Sequence, residues 1–409
     1  MPYIVADRVR DTSTSAGPTV FTVTGTAPIG FRTFSAVCAT SDVLPVFIQH
    51  RAANEWIVAL AMYSAANQLT LQLVLSSSAG GTSTVTFSSG IKDIVLGTPA
   101  SREFARPSPI VLPQGRLTLT AGTPVMTADA AAQTTIRYTP YTGRIVPIND
   151  GHVFYAQDIG AELTQTTTDT TKSPAAVAAN SNYDLFVWND AGTVRCTRGP
   201  AWTSSTARGT GASTTELAQI NGVYVNAVAI TNGPGQYLGT YVGTVRSNGS
   251  SQIDYKLGTA ASGTQEAFLG IWNMYNRVNA VGAVCDATGS WSNSTSAFAP
   301  ANGSTQNRVS IIRGLNDDAV QASFVTRISG TVGYYALGIG IDSTTVVSPS
   351  PNGAYNLMQI AFTGSVLAFW GGLPGLGFHY FQALEIGDGT NSWAVNGYPY
   401  FSLQAMVRL

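Results

Sequence analysis

The sequence predicts an all-β protein. It reads as two to three tandem antiparallel β-sandwich, jelly-roll-like modules with short linkers and minimal helix. Three observations predict this. Charged residues make up 11% of the 409 positions, against roughly 25% in an average globular protein, so the Glu- and Lys-rich faces of exposed helices are missing. Short runs alternate apolar and polar residues, as in Val20-Phe21-Thr22-Val23 and Leu69-Thr70-Leu71-Gln72-Leu73, which is the period of a half-buried strand. The runs are separated by Gly17-Pro18, Gly80-Gly81, Asn302-Gly303, Asp388-Gly389 and similar pairs, which are turn signals.

Residues 1–100 form the first expected β-sandwich, with Trp56 as the anchor of its core. Residues 101–115 are a Pro-rich linker, stiffened by Pro107 and Pro109, because proline fixes φ and breaks helix. Residues 116–265 are a middle β domain. Within it Tyr183–Trp188 is a strand that turns at Asn189-Asp190-Ala191-Gly192 and returns through Thr193–Cys196, a hairpin pattern. Residues 266–277 differ. Apolar residues at 268, 271, 272 and 275 fit a helical face, so a short helix or an aromatic strand is expected to connect two β domains. Residues 278–409 form a C-terminal sandwich.

Several function classes are excluded at this level. The net charge is −1 and no basic stripe is present, so no nucleic-acid partner is expected. No run approaches the ~18 apolar residues of a membrane span, so no membrane insertion is expected. Met1–Asp7 lacks the pattern of a signal peptide. Cys38, Cys196 and Cys285 lie far apart and form no CxxC pair, so no zinc site is expected; the thiols read as reduced, buried small residues. His50, His152 and His379 have no nucleophile in a known setting nearby. Asp317-Asp318 is an adjacent carboxylate pair, and adjacent strand residues point to opposite faces. Glu385 and Asp388 bracket a turn and are expected to be solvated. No cofactor and no enzymatic activity are expected.

One resemblance stands out. Arg8-Val9-Arg10-Asp11-Thr12-Ser13, Phe21-Thr22-Val23-Thr24-Gly25, Gly30-Phe31-Arg32-Thr33-Phe34, Asn54-Glu55-Trp56-Ile57-Val58 and Gly90-Ile91-Lys92-Asp93-Ile94-Val95-Leu96 follow one another in the first hundred residues. This series resembles a module at the start of many tailed-bacteriophage structural proteins, chiefly tail fibres and related appendages. Ala59 and Ala61 stand where the resemblance leads one to expect glycine. Thr139-Pro140-Tyr141, leading to Ile148-Asn149-Asp150-Gly151, and Trp272-Asn273-x-Tyr275-Asn276-Arg277 are similar to the same group. The resemblance implies a virion structural protein, made in the host bacterial cytoplasm and carried on the extracellular particle. It implies a homotrimer that contacts other virion tail proteins. Its first module would face the particle, and 278–409 would be a receptor-binding module for non-catalytic host attachment. The alternatives are a purely structural component (collar, neck, capsid decoration or fibre-connecting protein) and a polysaccharide-cleaving tail spike.

Two turn-rich segments carry residues suited to a host surface glycan or protein, because aromatic faces stack on sugars and amides bond hydroxyls. One holds Trp291, Asn293, Phe298 and Asn302; the other holds Asn391, Trp393, Tyr398 and Tyr400. The same aromatics would otherwise fold onto the core or into a subunit interface.

Overall fold

A computed structural model describes residues 3–97, 111–258, 266–349, 357–359 and 362–409. Among them the chain is strand and turn throughout, and the helical elements are the three-residue 3-10 turns Phe34–Ala36 and Ala301–Gly303. The chain is all-β, as its composition predicts. It divides into two units, Met1–Ile110 with Asn149–Ala156, and Val111–Ile148 with Gln157–Leu409. Residues 101–110 of the expected linker lie outside the described residues.

The first unit is built on one antiparallel sheet. Its strands run in the order Arg10–Ser13, Lys92–Leu96, Val43–His50, Trp56–Ala65, Gln68–Ser77, Val20–Thr22. Register shifts at Val58/Ala59, Leu60/Ala61 and Tyr63/Ala65 are bulges that increase local twist. The sheet curls until its outer strands meet at a bridge between Ser13 and Val23. Phe21, Leu44, Ile48, Ile57, Leu69 and Ile94 fill the interior. Trp56 is not the expected anchor. The alternation places Ile57, Ala59 and Ala61 inward, each fully buried, and leaves Trp56 half-buried.

Two of the segments that carry the resemblance, residues 8–13 and 21–25, close this sheet. The buried Asp11 carboxylate accepts from Thr12 N at 2.7 Å, Thr24 Oγ1 at 2.5 Å and Gly25 N at 3.0 Å. It therefore ties the segment after Arg10 to the segment after Phe21. Gly25 has φ +72°, a conformation glycine adopts without strain. Arg8 and Arg10 both lie against the Phe31 ring, at 5.7 and 5.6 Å. Asp93 receives Arg10 Nη2 at 3.0 Å and a two-pronged contact from Arg51 at 2.8 and 3.0 Å. We expect Asp11→Ala to destabilise this unit by about 2 kcal/mol, since three part-buried hydrogen bonds to one buried carboxylate are lost together. Hydrogen exchange at the Gly25 amide should speed up accordingly.

The Arg51 hydrogen bond, then that of Arg10, hold the Asp93 carboxyl below its ordinary value. A depressed carboxylate stabilises the fold above the unfolded-state pKa of about 3.9 and loses that contribution as pH falls through the folded value. The contribution is on the order of 1 kcal/mol, because all three groups keep contact with water. The unit's denaturation midpoint should therefore fall below about pH 4, and Asp93→Asn should remove that part of the pH dependence.

The second unit holds four further sheets that concern function. A small sheet runs Leu163–Thr166, Thr135–Pro140, Gly115–Thr118. A second runs Thr193–Ala201, Asn182–Asp190, Thr240–Arg246, Val223–Asn226, Leu217–Ile220. The expected hairpin is there: Asp190 pairs with Thr193, and Ala191 and Gly192 have φ of 48° and 96°, the primed turn that matches strand twist. The last two sheets face each other. One includes Tyr334–Ile341, Gly377–Ile386, Arg308–Arg313, Ala267–Leu269 and Ile253–Lys256 in that order. The other includes Asn279–Val284, Ser402–Arg408, Val320–Gly330, Trp393–Asn396 and Ser290–Asn293, with Phe362–Gly372 along Val320–Gly330. Rings from the two meet at Trp370–Phe381, 5.5 Å, and Tyr335–Trp393, 6.0 Å, as in a sandwich core.

Of the two forms expected for residues 266–277, a short helix or an aromatic strand, the structure has strand. The segment forms two short strands, Ala267–Leu269 and Ile271–Asn273, that enter two different sheets. The break is Gly270, where an added Cβ would lie 2.4 Å from Asp254 O. Ala267–Leu269 pairs with strands on both sides of the expected domain boundary, Ile253–Lys256 and Arg308–Arg313. The middle and C-terminal domains expected from the sequence thus share a sheet.

Candidate functional site

Most side chains singled out in the sequence are structural members. Trp393 is fully buried and packs on Tyr335. Trp291 packs on Phe401 at 6.0 Å, and its Nε1 donates to both Glu385 oxygens at 3.0 and 3.1 Å. Asn293 is buried and its Oδ1 accepts from Thr295 N at 2.8 Å. Asn302 donates from Nδ2 to Asp286 at 3.0 Å and Thr288 at 2.9 Å, and its backbone N–H donates to Glu385 at 3.0 Å. Phe298 is half-buried. Asn391 donates to Asp388 at 2.7 Å inside its own turn.

Glu385 is not solvated as expected. It is 3% exposed and lies within the strand Gly377–Ile386 rather than at its turn. Besides Trp291 and Asn302, it accepts the Tyr335 hydroxyl at 2.5 Å. Burial first, and this carboxylate second, push the Tyr335 phenol well above its ordinary range. Fully hydrogen-bonded and enclosed, this carboxylate is a core pillar.

The other notable groups are also paired. Asp317 and Asp318 both bind Arg277, at 2.7 and 2.5 Å, and Arg277 lies over Trp272 at 4.9 Å. In the same motif Asn273 Oδ1 accepts from Leu117 N at 2.6 Å, and Asn276 Nδ2 donates to Pro113 O at 2.8 Å. The motif therefore stitches the chain near Gly115 to the central strands. His50 Nδ1 accepts from the Ala52 and Ala53 amides at 3.0 and 2.9 Å. His379 contacts Asp342 at 2.7 Å. Cys196 and Cys285 are buried, whereas Cys38 is only partly so. Burial pushes the Cys38 thiol up to about 11 and the Cys196 thiol up to about 12, far from the range of a reactive cysteine. Among the described residues no group of three or more His, Cys, Asp and Glu is placed to hold a metal, and no helix is long and apolar enough to cross a membrane.

Several aromatic and aliphatic side chains of the second unit are exposed. Tyr398 and Tyr400 are 50% and 46% exposed, and Arg327 lies over the Tyr400 ring at 5.2 Å. On the same sheet, Val281 pairs with Met406, and Leu367 with Val325. Val281, Met406, Leu367 and Phe369 are all more than a third exposed. Alternation along the strands puts these four on the face away from the sandwich core.

No family model matches the chain, and no curated protein matches it in sequence. Among solved structures it is similar to one of infectious bursal disease virus, Gx strain, at 10% identity and TM-score 0.23, over 97% of this chain and 71% of that one. It is similar to the exo-beta-1,3-galactanase of Phanerochaete chrysosporium at 13% identity and TM-score 0.14, over 95% and 72%. The insecticidal delta-endotoxin Cry8Ea1 of Bacillus thuringiensis follows at 11% identity and TM-score 0.16, over 72% and 52%. Likeness at this level assigns no function.

Proposed function

We propose that the chain is a structural part of a tailed-bacteriophage virion, a tail fibre or related appendage that attaches to the host without catalysis. The observation that carries this reading is the series of segments in residues 1–100 that resembles the start of such appendages. Asp11, the Thr24 hydroxyl and the Gly25 backbone N–H meet in one clamp, so the series has a structural reason to occur together. The exposed apolar residues Val281, Met406, Leu367 and Phe369 support association, because another copy or another virion protein would bury them. Several copies on one particle would add weak contacts through effective concentration. In this reading the second unit meets the host, with Tyr398 and Tyr400 among the contacting side chains.

The test is adsorption. Purified protein should bind cells of the phage's host and compete with particles for them. Cell binding and competition both absent would contradict attachment and favour a collar, neck or decorating protein. Release of reducing ends from host envelope polysaccharide would contradict the non-catalytic part.

A further inference from the structure

A cleft of about 470 Å³ opens in the second unit where the strands Thr240–Arg246, Ile253–Lys256, Ala267–Leu269, Arg308–Arg313 and Gly377–Ile386 come together. Its charges are unequal. Lys256 pairs with Asp254 at 3.1 Å, and Arg308 pairs with Glu266 at 2.8 Å. Arg246 is left over. It is 7% exposed, and among the described residues it forms no ion pair. Its guanidinium lies 3.8 Å over the Phe378 ring. Its Nη1 donates to Asn182 Oδ1 at 2.8 Å and Ser205 Oγ at 3.3 Å; no described residue accepts from its Nε or Nη2. Burial lowers its pKa to about 10, with Glu266 opposing from a distance.

A buried cation bonded only to neutral oxygens is costly unless a counter-charge completes it. The guanidinium fork matches the two oxygens of a carboxylate. The rest of the wall suits a hydroxyl-bearing ring. Phe268 gives it an apolar side. Gln306 and Asn180 line it with exposed side-chain amides that have no hydrogen-bond partner among the described residues, and amides bond sugar hydroxyls. The volume lies within the ~300–1,000 Å³ typical of small-molecule sites.

We propose that this cleft binds an acidic sugar unit, a single ring carrying one carboxylate, with Arg246 holding the carboxylate and Gln306 and Asn180 the ring hydroxyls. The binding goes beyond virion attachment, since it belongs to the second unit whatever particle carries it.

Calorimetric titration of the full chain at low salt tests it, with glucuronate, glucose and inorganic phosphate as probes. Glucuronate should bind about tenfold or more tightly than either of the others, because only it offers both the charge and the hydroxyls. Arg246→Gln should weaken glucuronate by about tenfold or more. Gln306→Ala, at an exposed and unbonded amide, should weaken it about threefold with an unchanged melting temperature; this variant keeps the test open if Arg246→Gln does not fold. Glucose binding as well as glucuronate, phosphate binding as well as glucuronate, or no glucuronate binding would each overturn the proposal. None of these results bears on whether the chain is found on virions.

Discussion

Asp184→Ala is expected to destabilise the second unit by about 3–5 kcal/mol, the cost of leaving a buried charge without its partner. Asp184 is fully buried. Its carboxylate accepts Arg208 Nε at 2.6 Å and Nη2 at 3.2 Å, Thr215 Oγ1 at 2.8 Å and Thr244 Oγ1 at 2.6 Å. Arg208 in turn lies over Trp202 at 4.4 Å and donates to Gly314 O at 2.7 Å. The pair thus joins the strand Asn182–Asp190 to the turn after Arg313. Asp184→Asn should cost nearly as much, since the shape survives but Arg208 keeps an uncompensated charge. Asp184→Leu combined with Arg208→Met should recover part of the loss, because replacing a whole buried pair by apolar groups is far cheaper than breaking it. Denaturant midpoints of the four proteins measure this directly. A double variant no more stable than Asp184→Ala would show that the two side chains do not act as a unit.

Trp393→Ala is expected to cost a comparable amount, about 3–5 kcal/mol, as for other large-to-small core changes. The indole is fully buried and lies 6.0 Å from the Tyr335 ring, and an added Cβ at Gly330 would meet it at 2.5 Å. Tyr398→Ala and Tyr400→Ala should stay within about 0.5 kcal/mol of the parent, because both rings are half in water and surface changes are mild. The contrast separates core from surface among residues that the sequence groups together. Equal, small effects at all three positions would place Trp393 on the surface as well.

The sequence showed clearly what depends on neighbours along the chain. Alternation and turn residues mark the hairpin Asn182–Ala201, and both turn residues take the positive φ that this turn needs. The all-β class follows from the same signals together with the scarcity of charge. Parity was harder. In Asn54-Glu55-Trp56-Ile57-Val58 a shift of one residue reverses which side chains face inward, and the largest ring turned out to lie on the outer side. The segment 266–277 read equally as helix or strand for a related reason. Two three-residue strands broken at Gly270 place apolar residues at spacings that mimic a helix. Glu385 could not be read at all, because its donors are Trp291, Asn302 and Tyr335, all distant in sequence. The cleft at Arg246 is hidden in the same way. Its parts come from five separate strands and from loops at 180 and 306, and no spacing announces it. Asp11 and Thr24 lie closer together, and the first-hundred-residue pattern holds them as one motif even though the sequence alone does not say what they do.

The place proposed for the chain is a virion appendage. Gold-labelled antibody raised against residues 278–409, imaged on intact particles by electron microscopy, tests it most directly. Label at the end of the tail far from the head is the predicted result. Label on the head or neck, or no label on intact particles together with absence of the chain from purified virions, would contradict it.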